Sequence, residues 1–109
     1  MRKVVVREKD VERSVFEDRW SKDLITSGKN GFSLGVAEYH SKEFGMLQVH
    51  DDQEALYVSS GFGQIRLDDE TFDIGPGTAI YVPPRCKHAA RTTGPEPLKV
   101  VYAHAAATT

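Results

Sequence analysis

The stretch GMLQVHDDQEALYVSSG, residues 45–61, sets three polar side chains between two runs that alternate like strands. Side chains on a strand repeat every two residues, so Gln48 and His50 share one face. A turn over Asp51 to Gln53 brings Glu54 back beside them at the start of the next strand. An amide oxygen, an imidazole and a carboxylate converging on one point make half of a metal site. The remaining donor has to come from elsewhere in the chain.

With 109 residues the chain has the size of one domain with a core of its own. Its 39% hydrophobic and 28% charged residues are those of an ordinary globular protein and exclude a disordered or fibrous one. A net charge of −2 gives no general attraction to nucleic acid or to an anionic membrane, so neither is expected as a partner. The single cysteine, Cys86, excludes an internal disulfide and fits a reducing compartment. The N-terminus MRKVVVREKD has only a three-residue apolar run, too short for a signal peptide, and no segment has the length of a membrane span. A cytoplasmic protein is the expectation.

Working outward, valine-rich Lys3 to Arg7 reads as an N-terminal strand. Residues 8 to 22 are charge-dense, with Phe16 and Trp20 spaced to anchor a helical turn or a covering loop, Trp20 capping the core. Ser27 to Gly31 is a turn by composition. From Phe32 the pattern is strand and turn almost without a break. The expected strands are Phe32 to Tyr39, Met46 to His50, Glu54 to Ser60, Gln64 to Leu67, Thr71 to Ile74, Thr78 to Val82, His88 to Thr92 and Leu98 to His104. Gly/Pro turns at such regular intervals predict an all-β sandwich or barrel. Residues 1–31 are read as an N-terminal strand and covering segment of the same domain, and residues 32–109 as the barrel.

His88 is the candidate for the missing donor. At this point the sequence resembles the cupin superfamily, whose first motif ends in a histidine, three residues, a glutamate, six residues and a glycine. His50, Glu54 and Gly61 stand at those positions. Gly77, Pro83 and His88 fill three positions of the second motif. The resemblance implies a double-stranded β-helix, or jelly-roll barrel, and one divalent transition metal (Mn, Fe, Ni, Co or Zn) held by Gln48, His50, Glu54 and His88. Two departures stand out. Gln48 occupies the place of the family's first histidine, a set similar in its chemistry to the zinc ligands of type I mannose-6-phosphate isomerases. Arg85 replaces a glycine of the second motif and puts a cation near the expected mouth of the barrel. His50-x-Asp52 followed by His88 is also similar to the facial triad of 2-oxoglutarate oxygenases. The gap between the histidines is short for that family, and only Lys99 stands where its arginine is expected, so Asp52 is read as a solvated turn residue.

On the last expected strand, Lys99 should face water, which turns Tyr102 and His104 inward as candidates to line a substrate pocket. Arg85 is a third candidate, able to steer an anion. His40, at a strand end, is read as exposed. The cations beside Cys86, Arg85 and Lys87, could lower its pKa, but a lone loop cysteine is read as incidental. The resemblance implies a small metal-dependent enzyme of the dioxygenase, isomerase or decarboxylase type acting on a small oxygenated substrate. The alternative is a non-catalytic module that binds or senses a small ligand. It further implies a homodimer paired through sheet edges, with Lys3 to Arg7 available to join a partner's sheet.

Overall fold

The strand Gln53–Ser60 buries Glu54, Leu56 and Val58 and exposes Ala55, Tyr57 and Ser59, the period-two pattern of a sheet with one wet face. The same rule runs through the chain. In the computed structural model, which describes residues 4–107, nine strands follow in order. They are β1 (Ser14–Val15), β2 (Arg19–Thr26), β3 (Ser33–Tyr39), β4 (Gln53–Ser60), β5 (Gly63–Leu67), β6 (Glu70–Ile74), β7 (Ala79–Val82), β8 (His88–Thr92) and β9 (Leu98–Ala105). Among the described residues the only helical piece is one 3₁₀ turn, Glu8–Asp10.

The strands form a six-stranded sheet, ordered β1-β2-β3-β9-β4-β7, and a three-stranded sheet, ordered β6-β5-β8, all antiparallel. Their inner faces enclose a core of Leu56, Val58, Ile65, Val82, Leu98 and Val100, with Val58, Val82 and Leu98 fully buried. This is the all-β sandwich expected from the turn spacing, and the jelly roll that the resemblance implies. Strand β9, last in sequence, lies between β3 and β4 and pairs with both along most of its length. The hairpin β5–β6 turns on Asp68 and Asp69, with Asp68 at φ 52°, a conformation aspartate tolerates better than most residues.

Several expectations fail, and each failure has a local cause. Residues 4–7 form no strand; Lys3 lies outside the described residues. Around Phe16 and Trp20 the segment 8–22 is neither a helical turn nor a covering loop. After the 3₁₀ turn it makes a β-hairpin in which Val15 pairs with Trp20. Alternation along β2 turns Arg19, Ser21 and Asp23 toward the interior. Trp20 therefore faces the other way and does not cap the core; its ring lies under Arg13 (4.5 Å) and Lys22 (5.7 Å). Residues 46–50 do not form a strand. Gln48 makes a single antiparallel bridge with His88, through Gln48 N–H to His88 O (2.8 Å) and His88 N–H to Gln48 O (2.9 Å). Cys86 is buried in the core, and burial pushes its thiol pKa up rather than down, with the Asp68 carboxylate adding to the effect.

Gly61 and Gly28 separate two reasons for glycine. Both have positive φ, +83° and +78°, but a Cβ at Gly28 meets open space whereas one at Gly61 collides with the Pro97 carbonyl oxygen. We expect Gly28→Ala to cost the backbone strain alone, about 1–2 kcal/mol. Gly61→Ala should cost clearly more, since β9 must shift to accommodate it. Urea unfolding of the two variants checks this, and equal losses would contradict the contact.

Candidate metal centre

Strands β4 and β9 pair with Glu54 directly opposite His104. Residues on opposite strands of such a pair put their side chains on the same face, so a carboxylate and an imidazole meet by register alone. The bridge between Gln48 and His88 adds a second imidazole from the other sheet. The chain between Gln48 and β4 is fixed by Arg85 N–H donating to the His50 carbonyl at 2.8 Å. This places the His50 ring 4.9 Å from that of His88 and 5.1 Å from that of His104, centroid to centroid.

All three imidazoles present Nε2 to one carboxylate. His50 Nε2 is 3.1 Å and His88 Nε2 3.4 Å from Glu54 Oε1, and His104 Nε2 is 3.3 Å from Oε2. Their Nδ1 atoms are occupied on the far side. His88 Nδ1 donates to the Cys86 carbonyl at 3.0 Å, an acceptor only, which fixes that nitrogen as the protonated one. His104 Nδ1 donates to Asp52 Oδ2 at 3.1 Å. His50 Nδ1 faces the Asp52 carbonyl at 3.3 Å and lies 2.5 Å from Asp52 Oδ1, a contact too oblique for a hydrogen bond, so that buried oxygen has no hydrogen-bond partner.

With Nδ1 protonated, each Nε2 carries a lone pair. Three lone pairs aimed at a carboxylate repel unless a positive charge lies among them, either protons or a metal ion. The donor set therefore fits a divalent ion: His50, Glu54 and His88 have ligand atoms within 4.8 Å of one another. Without a metal, protons take that place. Burial pushes Glu54 up, but hydrogen bonds from His104 and His88 outweigh it and bring its pKa down to about 2. Burial lowers His88, yet its bonds with Glu54 and the Cys86 carbonyl raise it overall. His104 is raised chiefly by its bond with Glu54, against burial.

The cluster opens on a cavity of about 180 Å³. Leu56, Ile65, Ile74, Ile80 and Val100 line its apolar part, and Arg19, Asp23, Gln48, Tyr102 and His104 are among its polar wall. Set with its oxygen toward Arg19, the Gln48 amide accepts from Nη2 at 2.9 Å and Nη1 at 3.2 Å; the opposite setting would face donor with donor. Arg19 is itself held by Asp18 at 2.9 Å and stacks on Phe16 at 4.4 Å. The Tyr102 hydroxyl donates to Asp23 Oδ1 at 2.6 Å, and burial, reinforced by Asp23, raises its pKa, so it stays a neutral phenol.

The structure thus brings His50, Glu54 and His88 together and adds Tyr102 and His104 to the cavity wall. Arg85 stands apart: it is exposed, pairs with Asp51 at 3.1 Å and does not line the cavity. Its φ of 65° explains why glycine suits that place. His40 is exposed, and its Nε2 bonds the Glu17 carbonyl at 3.1 Å. Asp52, expected in solvent, contacts two histidines instead. The sequence also gave no warning of Arg19, which becomes visible only once β2 is known to alternate with Arg19, Ser21 and Asp23 inward.

The family model described as the cupin domain matches residues 35–104. The chain belongs to the cupin superfamily. An uncharacterised protein of Methanocaldococcus jannaschii is 35% identical over 89 residues, covering 81% of this cupin and 70% of the relative. A mannose-1-phosphate guanylyltransferase of Salmonella typhimurium is 26% identical over 83 residues, 75% of this cupin but only 17% of that enzyme. Among solved structures, an RmlC-like cupin from Shewanella frigidimarina superposes with TM-score 0.82 at 15% identity, covering 97% of this chain and 93% of the other. A polyketide cyclase from Streptomyces resistomycificus superposes with TM-score 0.79 at 22% identity, over 96% and 80%. At such identities the likeness is one of fold. No helix among the described residues is long and apolar enough to cross a membrane.

The protonated cluster makes a prediction for the metal-free protein. Glu54, lowered, favours the folded state above its ordinary 4.5 and loses that contribution as pH falls toward about 2. His88 and His104, raised, favour the folded state below 6.5 and lose that contribution as pH rises through their raised values. Thermal unfolding in chelator should therefore show Tm falling on the alkaline side of 6.5. Glu54→Gln, which removes the charge that raises both histidines, should flatten that fall.

Proposed function

We propose that this cupin is a metal-dependent enzyme acting on a small oxygenated molecule in the cavity beside the histidine cluster. The observation that supports it is the convergence of three imidazole Nε2 atoms on buried Glu54 at one end of that cavity. His50, Glu54 and His88 would hold one divalent transition ion, with a net ligand charge of −1. A bound ion there would supply Lewis-acid or redox chemistry at a substrate oxygen.

The chain's own residues do the rest. At about 180 Å³ the cavity is well below the roughly 300–1,000 Å³ of pockets for drug-sized ligands, so it admits a small metabolite. Its aliphatic walls exclude water and accept a short hydrocarbon part. Gln48, with its oxygen on Arg19, has only amide hydrogens left to offer a substrate oxygen. Tyr102, whose proton is committed to Asp23, can accept but not readily release one. A diol, hydroxyketone or 2-oxo acid satisfies these demands, which keeps dioxygenase, isomerase and decarboxylase chemistry in play. The homodimer implied by the family is read at the β1 edge of the larger sheet, where Val15 is exposed.

Metal analysis of the purified protein should find one transition ion per chain. Adding Mn, Fe, Co, Ni or Zn to the stripped protein should raise Tm, as binding to the folded state alone requires, by the equivalent of about 2.7 kcal/mol at one hundred times Kd. His50→Ala and His88→Ala should each abolish uptake while leaving the β-rich circular dichroism intact. Unchanged metal content in either variant would end this assignment. Oxygen consumption with diketone or catechol-like substrates then separates a dioxygenase from redox-neutral chemistry, and tight binding without turnover would make the protein a binding module. Light scattering should give a dimer; a monomer would remove the edge-pairing reading.

A further inference from the structure

At the family position that Gln48 occupies, the backbone is tied to His88 by both hydrogen bonds of their bridge. The Gln48 side chain is otherwise engaged. An amide ligates a metal through oxygen, because the nitrogen lone pair is delocalised into the carbonyl. The Gln48 oxygen is held by two guanidinium nitrogens of Arg19. Arg19 cannot readily let go, being ion-paired to Asp18, largely buried and stacked on Phe16. Releasing Gln48 toward an ion would also leave guanidinium donors without a partner in a partly buried wall.

His104 has the opposite arrangement. Its Nδ1 donates to Asp52, which leaves the Nε2 lone pair directed at Glu54, and the Glu54–His104 strand pairing fixes the Cα atoms across from each other. Asp52 also reaches His50, but there its backbone carbonyl takes the Nδ1 hydrogen bond, so the carboxylate itself backs His104. Carboxylates in that position set the tautomer and ring angle of metal-binding histidines and raise their basicity. Resting on the reading that a divalent ion sits in the cluster, we infer that His104, not Gln48, completes the donor set with His50, Glu54 and His88, and that Asp52 holds it in place. The position that departs from the family's pattern has been vacated, and a histidine on the last strand has taken over its ligand role.

The test counts imidazoles. X-ray absorption of the unmutated protein loaded with zinc, the ion used as probe, should show three imidazole ligands; two would overturn the inference without any mutation. Zinc titration of the stripped protein should find the affinity of Gln48→Ala unchanged and its imidazole count still three. His104→Ala should lose one imidazole and bind zinc at least about 100-fold more weakly, and Asp52→Asn should weaken it by roughly 10- to 100-fold with the count intact. Loss of zinc from Gln48→Ala together with retention by His104→Ala would sink the inference while leaving a metal centre in place. Failure of the unmutated protein to take up zinc, manganese, iron, cobalt or nickel would instead remove the metal reading itself. Circular dichroism of each stripped variant separates lost ligation from lost fold.

Discussion

Glu54 is a carboxylate at a core position. Its strand buries it on the same face as Leu56 and Val58, where an unanswered charge would cost several kcal/mol. Everything around the site follows from the need to answer that charge. Three imidazoles face it, each turned the same way because its far nitrogen is engaged elsewhere: His88 by a backbone carbonyl, His104 by the Asp52 carboxylate, and His50 by the Asp52 carbonyl with that carboxylate close by. The arrangement works with protons or with a metal ion between the nitrogens and the carboxylate, and it does not work with nothing there.

The fold delivers these groups from distant parts of the sequence. Because β9 lies between β3 and β4, the last strand sets His104 opposite Glu54. The corner formed by Pro83 to Lys87 does three jobs. Arg85, at positive φ, donates to the His50 carbonyl, and the Cys86 carbonyl fixes the His88 ring. Lys87 N–H bonds the Asp68 carboxylate at 3.0 Å and its carbonyl accepts from Asp68 N–H at 2.7 Å, which ties the corner to the β5–β6 turn. Burying Cys86 in this corner also explains why the neighbouring cations do not activate it: the thiol points to the core while Arg85 reaches solvent.

Alternation and turn chemistry made most of the strands from residue 33 onward readable, since each signal lies within a few residues. The same locality explains what could not be read. Residues 46–50 alternate like a strand, yet form only a bridge, and the chain then bends at Asp51 and Asp52 to bring Glu54 round. Trp20 looked like a core cap because large aromatics usually are, but its strand parity is set by pairing with β3. Asp52 looked like any turn aspartate. Its contacts come from His50, two residues away, and His104, fifty-two residues away, and the second depends on a strand order that no window of sequence contains.

Arg19 and Gln48 bear on what the cavity can hold. A guanidinium close to a divalent ion would repel it, and here two things weaken that repulsion. Asp18 pairs the charge at 2.9 Å, and the Gln48 amide lies against it with the oxygen end on the guanidinium. The amide dipole then carries its positive end, the NH₂ group, away from Arg19. That end attracts oxygen lone pairs and gives nothing to a cation. A glutamine in this setting acts on what enters the cavity, whereas a histidine there would act on the metal. With His104 in the donor set in its place, the ligand charge would stay at −1 and the Gln48 amide would be left to the cavity. A molecule bound there would meet a hydrogen-bond donor on one side and aliphatic walls on the other, which favours a compact ligand with its oxygens at one end.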